Sequence, residues 1–398
     1  MHLDIARLPT PLWLPLKLLL WMGLVLCTVI NVASVGFILL CLLLAWPLTF
    51  ALKRYPALSR PLVVIFEALT RAGGRITRDP RDGMVFAMTV MITPVLLGYV
   101  LWAYLTPDFG VIAVLVYYAL LLYGPESMLA INVYKLKHTD VHAYKGLYKK
   151  PYGYFLDHVY EYVLSPLYGV LPEIDRWGHA GVHHYENSGP DDNVGVRRYD
   201  RTSLLDFFKY LFYNAAWHTS GLGVLYYFHA KKRPKLFLKA LRGMILYYSV
   251  VGFLLLWMPK PTFWFLVVPY FANWFWQGIL DWTWHIFANP EEPDNVSKAT
   301  ITIIEQPDDF WVDFVRENYH LSHHIKQSLH WTEWKPFYED NPELFVDSTT
   351  FRGLDLFQIF YWTTMRGRLE PLAEKYVDQT GSMSNEQIVE RLYRWARP

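Results

Sequence analysis

Charged residues are scarce in this chain. Asp, Glu, Lys and Arg make up 18% of its 398 residues, against about 25% in an average soluble domain. Hydrophobic residues reach 53%, so the composition excludes an intrinsically disordered protein and argues against a soluble one. Basic and acidic residues nearly balance, at 37 and 36, so no overall positive field favours nucleic acid as a partner.

Cysteine is nearly absent: the chain has two, Cys27 and Cys41, and both lie in one apolar run. This distribution excludes a disulfide framework, a Cys-x-x-Cys redox motif and a cysteine-ligated iron–sulfur cluster. The sequence also shows no haem motif of the cytochrome b5 type. Metal chemistry in this chain must therefore use other ligands, and 14 histidines are present.

Long apolar runs, in contrast, are abundant. A membrane helix needs roughly 20 apolar residues to cross about 30 Å of hydrocarbon. Such runs form three pairs: 12–52, which is long enough for two crossings, 84–105 with 110–132, and 243–258 with 262–287. Asn31, Ser34 and Gly36 are candidates for a turn in the first run, where one helix and two helices both stay open. We expect an all-α integral membrane protein with about six transmembrane helices in three hairpins.

The distribution of basic residues orients these hairpins. Lys and Arg are concentrated in the long connections between the pairs, whereas the tight turns carry almost none. By the positive-inside rule, both termini and both long connections face the cytoplasm. Residues 152–171 and 204–228 are aromatic-rich and only partly apolar, so we expect them to lie at the membrane interface, and a shallow crossing by 204–228 stays open. The expected divisions are an N-terminal hairpin with a basic linker (1–83), a membrane domain with a cytoplasmic histidine-rich helical cap (84–334) and a C-terminal cytoplasmic tail (335–398).

Nine of the histidines follow an ordered pattern of three groups and one single residue. They are His138 and His142; His179, His183 and His184; His320, His323 and His324; and His285. Histidines four residues apart share a helix face and can address one metal. On an α-helix His184 would point about 100° away from His183, so the second group can serve two metals. One such group is a common coincidence, but three groups beside predicted membrane helices, on one side of the membrane, are not.

The number of imidazoles bears on the metal. Imidazole binds zinc, copper, iron and nickel, and a structural zinc site is complete with four ligands. Nine imidazoles exceed the needs of one ion but suit two, each with four or five nitrogens and room for a further ligand. We therefore favour an oxygen-activating di-iron pair beside a membrane that supplies a hydrophobic substrate.

The ordered pattern H-x3-H, H-x3-H-H and H-x2-H-H resembles the membrane fatty acid desaturase superfamily, which also includes acyl hydroxylases and carotenoid oxygenases. The resemblance covers roughly residues 84–334. It implies two irons on the cytoplasmic face, a bent tunnel for an acyl chain, and a ligand role for the eight histidines of the three boxes. The first two boxes each hold three intervening residues, where many acyl-CoA desaturases have four and two, so the exact reaction stays open.

Further roles come from the same resemblance. His285 matches an isolated family ligand near the end of the last core helix, and Asp281 stands where the family has an asparagine that reaches a metal through water. Asn187 follows the second box as an asparagine does in the family. Independently of the resemblance, Asp140 within the first box is a candidate to orient a neighbouring imidazole, and a solvated position on the helix face is the alternative. For Glu186, Asp191, Asp192 and Glu317, such a role and simple solvation both stay open.

The expected function is that of a membrane-bound, O2-dependent di-iron fatty acid desaturase. The alternative is a di-iron hydroxylase or ketolase of a lipid, alkane or carotenoid. A remote alternative is a histidine-rich zinc transporter, which would place ionisable residues at mid-membrane; here the apolar runs hold few charges. The expected partners are a fatty acyl substrate linked to CoA, a carrier protein or a lipid, and a separate ferredoxin, rubredoxin or cytochrome b5 as electron donor. The expected location is a bacterial inner membrane.

The remaining histidines are expected to be solvated or interfacial. They are His2, His158, His218, His229 and His330. His330 follows the third box by six residues, so a place close behind the metal ligands is its alternative.

Overall fold

The computed structural model describes residues 21–122 with gaps at 24, 38, 42, 44–46 and 48–53, and residues 139, 141–143, 145–305 and 317–398. Most of these residues are helical. The longer helices are α1 (Trp21–Cys41), α2 (Pro56–Ile76), α3 (Gly83–Leu105), α4 (Val111–Leu122), α5 (Leu204–Asn214), α6 (Leu222–Ala230), α7 (Pro234–Trp257), α8 (Val268–Trp284) and α9 (Asn385–Trp395).

Short elements connect the longer helices. Short α-helices cover Gly153–Val159, Ser165–Leu167, Ile174–Gly178, His184–Glu186, Pro259–Thr262, His320–Ile325, Trp334–Asp340, Leu356–Phe360 and Glu370–Ala373. Single π-helical turns cover Tyr160–Leu164, His179–His183, Ala215–Thr219, Phe263–Val267 and Tyr361–Met365. The 3₁₀ turns are Pro80–Asp82, Val296–Lys298, Glu317–Tyr319, Trp331–Glu333 and Pro342–Leu344. Strands β1 (Ile301–Ile304) and β2 (Thr349–Arg352) pair in parallel.

Three helices within the described ranges are long and apolar enough to cross a membrane: Trp21–Cys41, Pro80–Leu105 and Pro234–Trp257. Each belongs to a different one of the three expected pairs. In the second expected pair, residues 110–122 are described and include α4, whereas 123–132 lie outside the described residues, as do most of 42–53 in the first pair, His138 and Asp140. The full set of six spans and its arrangement in hairpins therefore stay predictions.

Two expected turns are wrong. The chain is helical through Asn31, Ser34 and Gly36, and the Asn31 amide donates to the carbonyl of Phe271 in α8. In the third pair, the connection expected between the two apolar runs, Pro259-Lys260-Pro261, is helical; the break lies at Met258, and the two prolines occupy the first helical turn. Proline is favoured there because the first turn leaves its N–H groups unbonded in any case.

Residues 317–398, which follow β1 in the chain, fold back onto α8. Trp282 of α8 is fully buried, and its indole N–H donates to Thr364 Oγ1 at 2.9 Å. The register of the strands places Ile303 opposite Phe351, and both side chains belong to one buried cluster with Leu392 of α9. The C-terminal residues thus form part of the same core that carries the end of α8.

A fully buried arginine joins three parts of this core. The guanidinium of Arg201 donates to the carbonyls of Ile286 and Ala288, at 3.1 Å each, and to that of Trp395. Burial lowers the pKa of Arg201 to about 9, so the group keeps its charge at neutral pH. Because it reaches the segment just after α8 and the end of α9, Arg201 fixes the residues that follow His285.

Gly169 lies where the backbone comes very close to α8. It has φ +75°, and an added Cβ would lie 2.2 Å from the carbonyl oxygen of Pro269. We predict that Gly169→Ala lowers stability by about 2 kcal/mol or more, because the left-handed conformation and the backbone clash add. Gly252 in α7 is the control, since a Cβ there meets nothing within 4 Å. Thermal unfolding in detergent measures both variants, and equal melting temperatures would contradict the close approach.

Candidate metal centre

The second histidine box is built on a π-helical turn. Residues His179–His183 form this turn between two short α-helices, and the backbone N–H of His184 donates to the carbonyl of His179, five residues earlier. A π turn therefore aligns residues i and i+5 rather than i and i+4. The rings of His179 and His184 lie 4.5 Å apart, centroid to centroid. The α-helical pairing of His179 with His183 is wrong for this reason, although the box does divide between two sites.

The first group of converging imidazoles contains one or two histidines from each box. They are His142, His179, His184 and His323, whose ligand nitrogens all lie within 4.8 Å of one another. Nε2 of His184 is 2.9 Å from Nε2 of His179 and 2.7 Å from Nε2 of His323. A neutral imidazole nitrogen offers either one proton or one lone pair, so His184 Nε2 cannot form a well-directed hydrogen bond with both neighbours, whereas a shared cation satisfies all of these nitrogens together. The geometry therefore suits a metal ion.

The second group joins the other half of the second box to the end of α8 and to the third box. Its members are His183, His285 and His324, all buried. Nδ1 of His183 bonds to Asp192 Oδ2 at 2.8 Å, and Nδ1 of His285 bonds to the Ala299 carbonyl at 2.7 Å. Nδ1 of His324 bonds to Asn187 Oδ1 at 2.8 Å. Carboxylate and carbonyl oxygens only accept, so each Nδ1 carries the proton and each Nε2 keeps its lone pair.

The loop after the second box supplies this outer support. Asn187 adopts a left-handed backbone conformation with φ 47°, which turns the chain so that its side chain faces His324. The N–H of Ser188 donates to Asp192 Oδ2 at 2.9 Å, and that of Val194 donates to Asp192 Oδ1 at 3.0 Å. Ser188 Oγ also lies 2.9 Å from Nδ1 of His285. One short loop thus orients all three imidazoles of the second group.

Electrostatics favours neutral imidazoles in the first group. Burial, and then the neighbouring His323 and His179, hold the pKa of His184 well below its ordinary value.

The second group differs, because a carboxylate faces one of its imidazoles. Burial alone would also lower the pKa of His183, but the carboxylate of Asp192 reverses this and raises it. Burial opposes ionisation of Asp192, yet the facing His183 holds the pKa of this carboxyl below its usual range. Neutral imidazole is the form that binds a metal, and a buried carboxylate partner strengthens it as a ligand.

His320 and Asp281 are the remaining expected metal-site residues within the described ranges. His320 is buried and its ring stacks on Trp284 at 4.7 Å and 17°, with the His324 ring 4.8 Å away; it joins neither group above. Asp281 lies one turn before His285, and its charge contributes to the raised pKa of His183. His138 and Asp140 lie outside the described residues. Seven of the nine histidines therefore converge in two adjoining groups.

Sequence reasoning did not find every residue of this region. His218 was expected at the interface, but it is 2% exposed, and Gln277 Nε2 lies 3.3 Å from its Nε2. Gln277 also reaches Asp175 at 3.5 Å. A signal was present, because polar residues recur every four positions along the last apolar helix: Asn273, Gln277, Asp281 and His285. Such a stripe on a membrane helix indicates a buried polar contact.

The donor set fits a pair of imidazole-binding metals. It offers nitrogen ligands in two adjoining groups, and three of the seven rings have their second nitrogen fixed by an acceptor. Hard cations such as Mg2+ and Ca2+ prefer oxygen ligands, so they do not suit this set. Iron, zinc, copper and nickel do.

Comparison with known proteins agrees with the motif. A family model described as Fatty acid desaturase matches residues 128–351, more than half of the chain. The matched range begins near the end of the second predicted hairpin and ends in β2, beyond the third histidine box. No curated protein and no solved structure matches the chain significantly.

Asp192 and its neighbour Asp191 provide a matched test of the second group. Asp192 is buried against His183, whereas the Asp191 side chain is 60% exposed and pairs with Lys231. We predict that Asp192→Asn weakens metal binding about 10–100-fold, because His183 loses its anionic partner. Asparagine has nearly the same shape and keeps one oxygen to accept from one of the two backbone N–H groups, so the loop should stay folded. Competition with a chelator measures the affinity; an effect of Asp191→Asn equal to that of Asp192→Asn would contradict the assignment.

Proposed function

Because the chain belongs to the fatty acid desaturase family, we propose that it is an O2-dependent di-iron oxidase that introduces a double bond into the acyl chain of a lipid. The observation that carries this proposal is the convergence of seven histidines into two adjoining metal-binding groups. Helices long and apolar enough to span a membrane belong to the same chain. An acyl chain is a substrate that such a membrane can supply.

Two irons are the proposed cofactor. His142, His179, His184 and His323 would hold one, and His183, His285 and His324 the other. We keep His138 and His320 as further proposed ligands, and Asp281 as a contact through water, on the family resemblance. When bound, an iron pair supplies the reduction of O2 and the removal of hydrogen from an unactivated carbon.

The protein's own residues prepare this site in two ways. Asp192, Asn187 and the Ala299 carbonyl hold the protons of the second group on Nδ1, so each Nε2 of this group keeps its lone pair for a metal. The buried indole rings of Trp284 and Trp334 pack against His320 and His323, at 4.7 and 4.6 Å between ring centroids. These flat surfaces fix the tilt of both imidazoles. A fixed site is what positions one carbon of a long chain for reaction.

The substrate and the electron donor follow from the same proposal. An acyl chain linked to CoA, a carrier protein or a lipid would enter from the membrane side. A separate ferredoxin, rubredoxin or cytochrome b5 would deliver the electrons, since the sequence has neither a cysteine cluster nor a haem motif. Loss of a second hydrogen gives a double bond, whereas return of oxygen to the carbon gives an alcohol.

We predict that His184→Ala and His183→Ala each reduce iron content and abolish product, because each removes a ligand from a different group. His229→Ala is the control, since that side chain is exposed and belongs to neither group. Expression in a host of known lipid composition, with mass spectrometry of fatty acids and metals, measures both effects.

The result also separates the alternatives. Zinc as the bound metal, with no new lipid product, would contradict the oxidase. Iron with a hydroxylated product would contradict desaturation but keep the site. Full iron and full product in either histidine variant would overturn the ligand assignment.

The histidine side of the protein is proposed to face the cytoplasm, because the basic residues lie in the connections on that side. Ser328 is exposed four residues after His324, so it reports this side. In a variant with Cys27 and Cys41 replaced, we predict that Ser328→Cys reacts with an impermeant thiol reagent only in inside-out vesicles. Reaction in right-side-out vesicles alone would reverse the proposed topology.

A further inference from the structure

A cavity of about 290 Å3 lies against the first histidine group. Its walls include His142 at the inner end and the exposed residues Arg81 and Ser328 at the mouth. Trp334, which packs on His323, also lines it. The volume is enough for a chain of several water molecules. The cavity therefore connects solvent with a residue of the first group, whereas all three imidazoles of the second group are buried.

A directed chain of hydrogen bonds runs along the cavity wall. Arg81 Nη1 donates to Thr332 Oγ1 at 3.1 Å, so the Thr332 hydroxyl is left to donate to His330 Nδ1 at 2.8 Å. The backbone N–H of Thr332 also donates to this Nδ1, at 3.3 Å. His330 Nδ1 is thus an acceptor, and the ring proton sits on Nε2. Nε2 donates to Asp82 Oδ1 at 3.0 Å.

The position of this pair is suited to proton movement. Asp82 is 7% exposed, yet both Asp82 and His330 line the cavity that reaches His142. The other charged groups facing the pair are Asp79, Arg81 and Glu333, and Arg81 is bonded to both of those carboxylates at 2.6 and 2.5 Å. The arginine is thereby held at the mouth, and histidine and aspartate form the inner link.

We propose that this cavity is the proton inlet of the metal centre and that His330 and Asp82 are its relay pair. The proposal rests on the proposed function. Desaturation converts a CH2–CH2 unit, O2, two electrons and two protons into a CH=CH unit and two waters. The donor protein supplies the electrons, so both protons must come from solvent.

The relay moves each proton between stated atoms. The Thr332 hydroxyl passes its proton to His330 Nδ1 and takes another from solvent water, while the proton on Nε2 passes to Asp82 Oδ1, so the ring is neutral again. Asp82 releases the proton into the cavity toward His142, and tautomer exchange with solvent restores the original imidazole. His330 and Asp82 touch neither substrate nor metal ligand in this scheme and act only on proton supply.

Access through the cavity can be tested without turnover. Azide is the probe, and its binding to the ferric iron-loaded protein is followed by visible absorption. Ser328→Cys carrying a bulky maleimide should slow azide binding at least about tenfold, because it closes the mouth, with iron content unchanged. Glu343→Cys, labelled in the same way, is the control, since Glu343 is exposed and does not line the cavity. Equal azide rates in the two labelled proteins would overturn the inlet.

The relay is tested by Asp82→Asn and His330→Asn. Asparagine keeps the hydrogen-bonding role of each residue, and at position 330 it still caps the following turn, but it does not carry protons. Turnover should fall at least about tenfold, with normal iron content and a larger solvent deuterium isotope effect. Glu343→Gln is the carboxylate control.

The outcomes separate the relay from the proposed function. Wild-type turnover and isotope effect in both variants would overturn the relay. Loss of iron in both variants would also overturn it, because the residues would then be structural. A wild-type protein that consumes no O2 with any lipid would sink the proposed function instead, and the azide experiment would still decide the inlet.

Discussion

The structure depends on one electrostatic constraint: imidazole nitrogens with lone pairs are brought within 3 Å of one another in a largely buried place. Nε2 of His184 has two such neighbours, in His179 and His323. A neutral imidazole nitrogen offers either one proton or one lone pair, so hydrogen bonding alone cannot satisfy both contacts of His184 Nε2 well. A shared metal would satisfy the nitrogens and would tie together three chain segments that are far apart in sequence. Metal binding and the folding of this region are therefore expected to be coupled.

Much of the surrounding fold serves to hold those segments in place. The π turn of the second box directs His179 and His184 to one group and His183 to the other. The loop that follows supplies Asn187, Ser188 and Asp192 as partners for the second group. Arg201 then links this loop to the residues after His285 and to the end of α9. A buried guanidinium bonded to carbonyls is costly to remove, so these three segments move as one unit.

The two groups differ in their surroundings. All three imidazoles of the second group are buried and have a fixed acceptor at Nδ1, whereas His142 and His179 of the first group are partly exposed. The cavity that contains Asp82 and His330 ends at the first group. In the proposed centre, one metal position would be buried and the other would communicate with solvent. That asymmetry suits a reaction that takes protons from water but removes hydrogen from a chain kept away from it.

Sequence alone determined the features that depend on local spacing and composition. The apolar runs identified one candidate membrane helix in each of the three expected pairs, the histidine spacing identified six of the seven histidines in the two groups, and the family resemblance added His285. Tertiary structure decided what depends on contacts between distant segments. Asn31 lies within a helix and bonds to Phe271, and Asp192 differs from Asp191 only because one faces His183 and the other faces solvent. His218 and His330 have no spacing that marks them, since their partners Gln277 and Asp82 lie 59 and 248 residues away. The division of the second box also required the structure, because a π turn differs from an α-helix by one hydrogen bond that residue spacing does not specify.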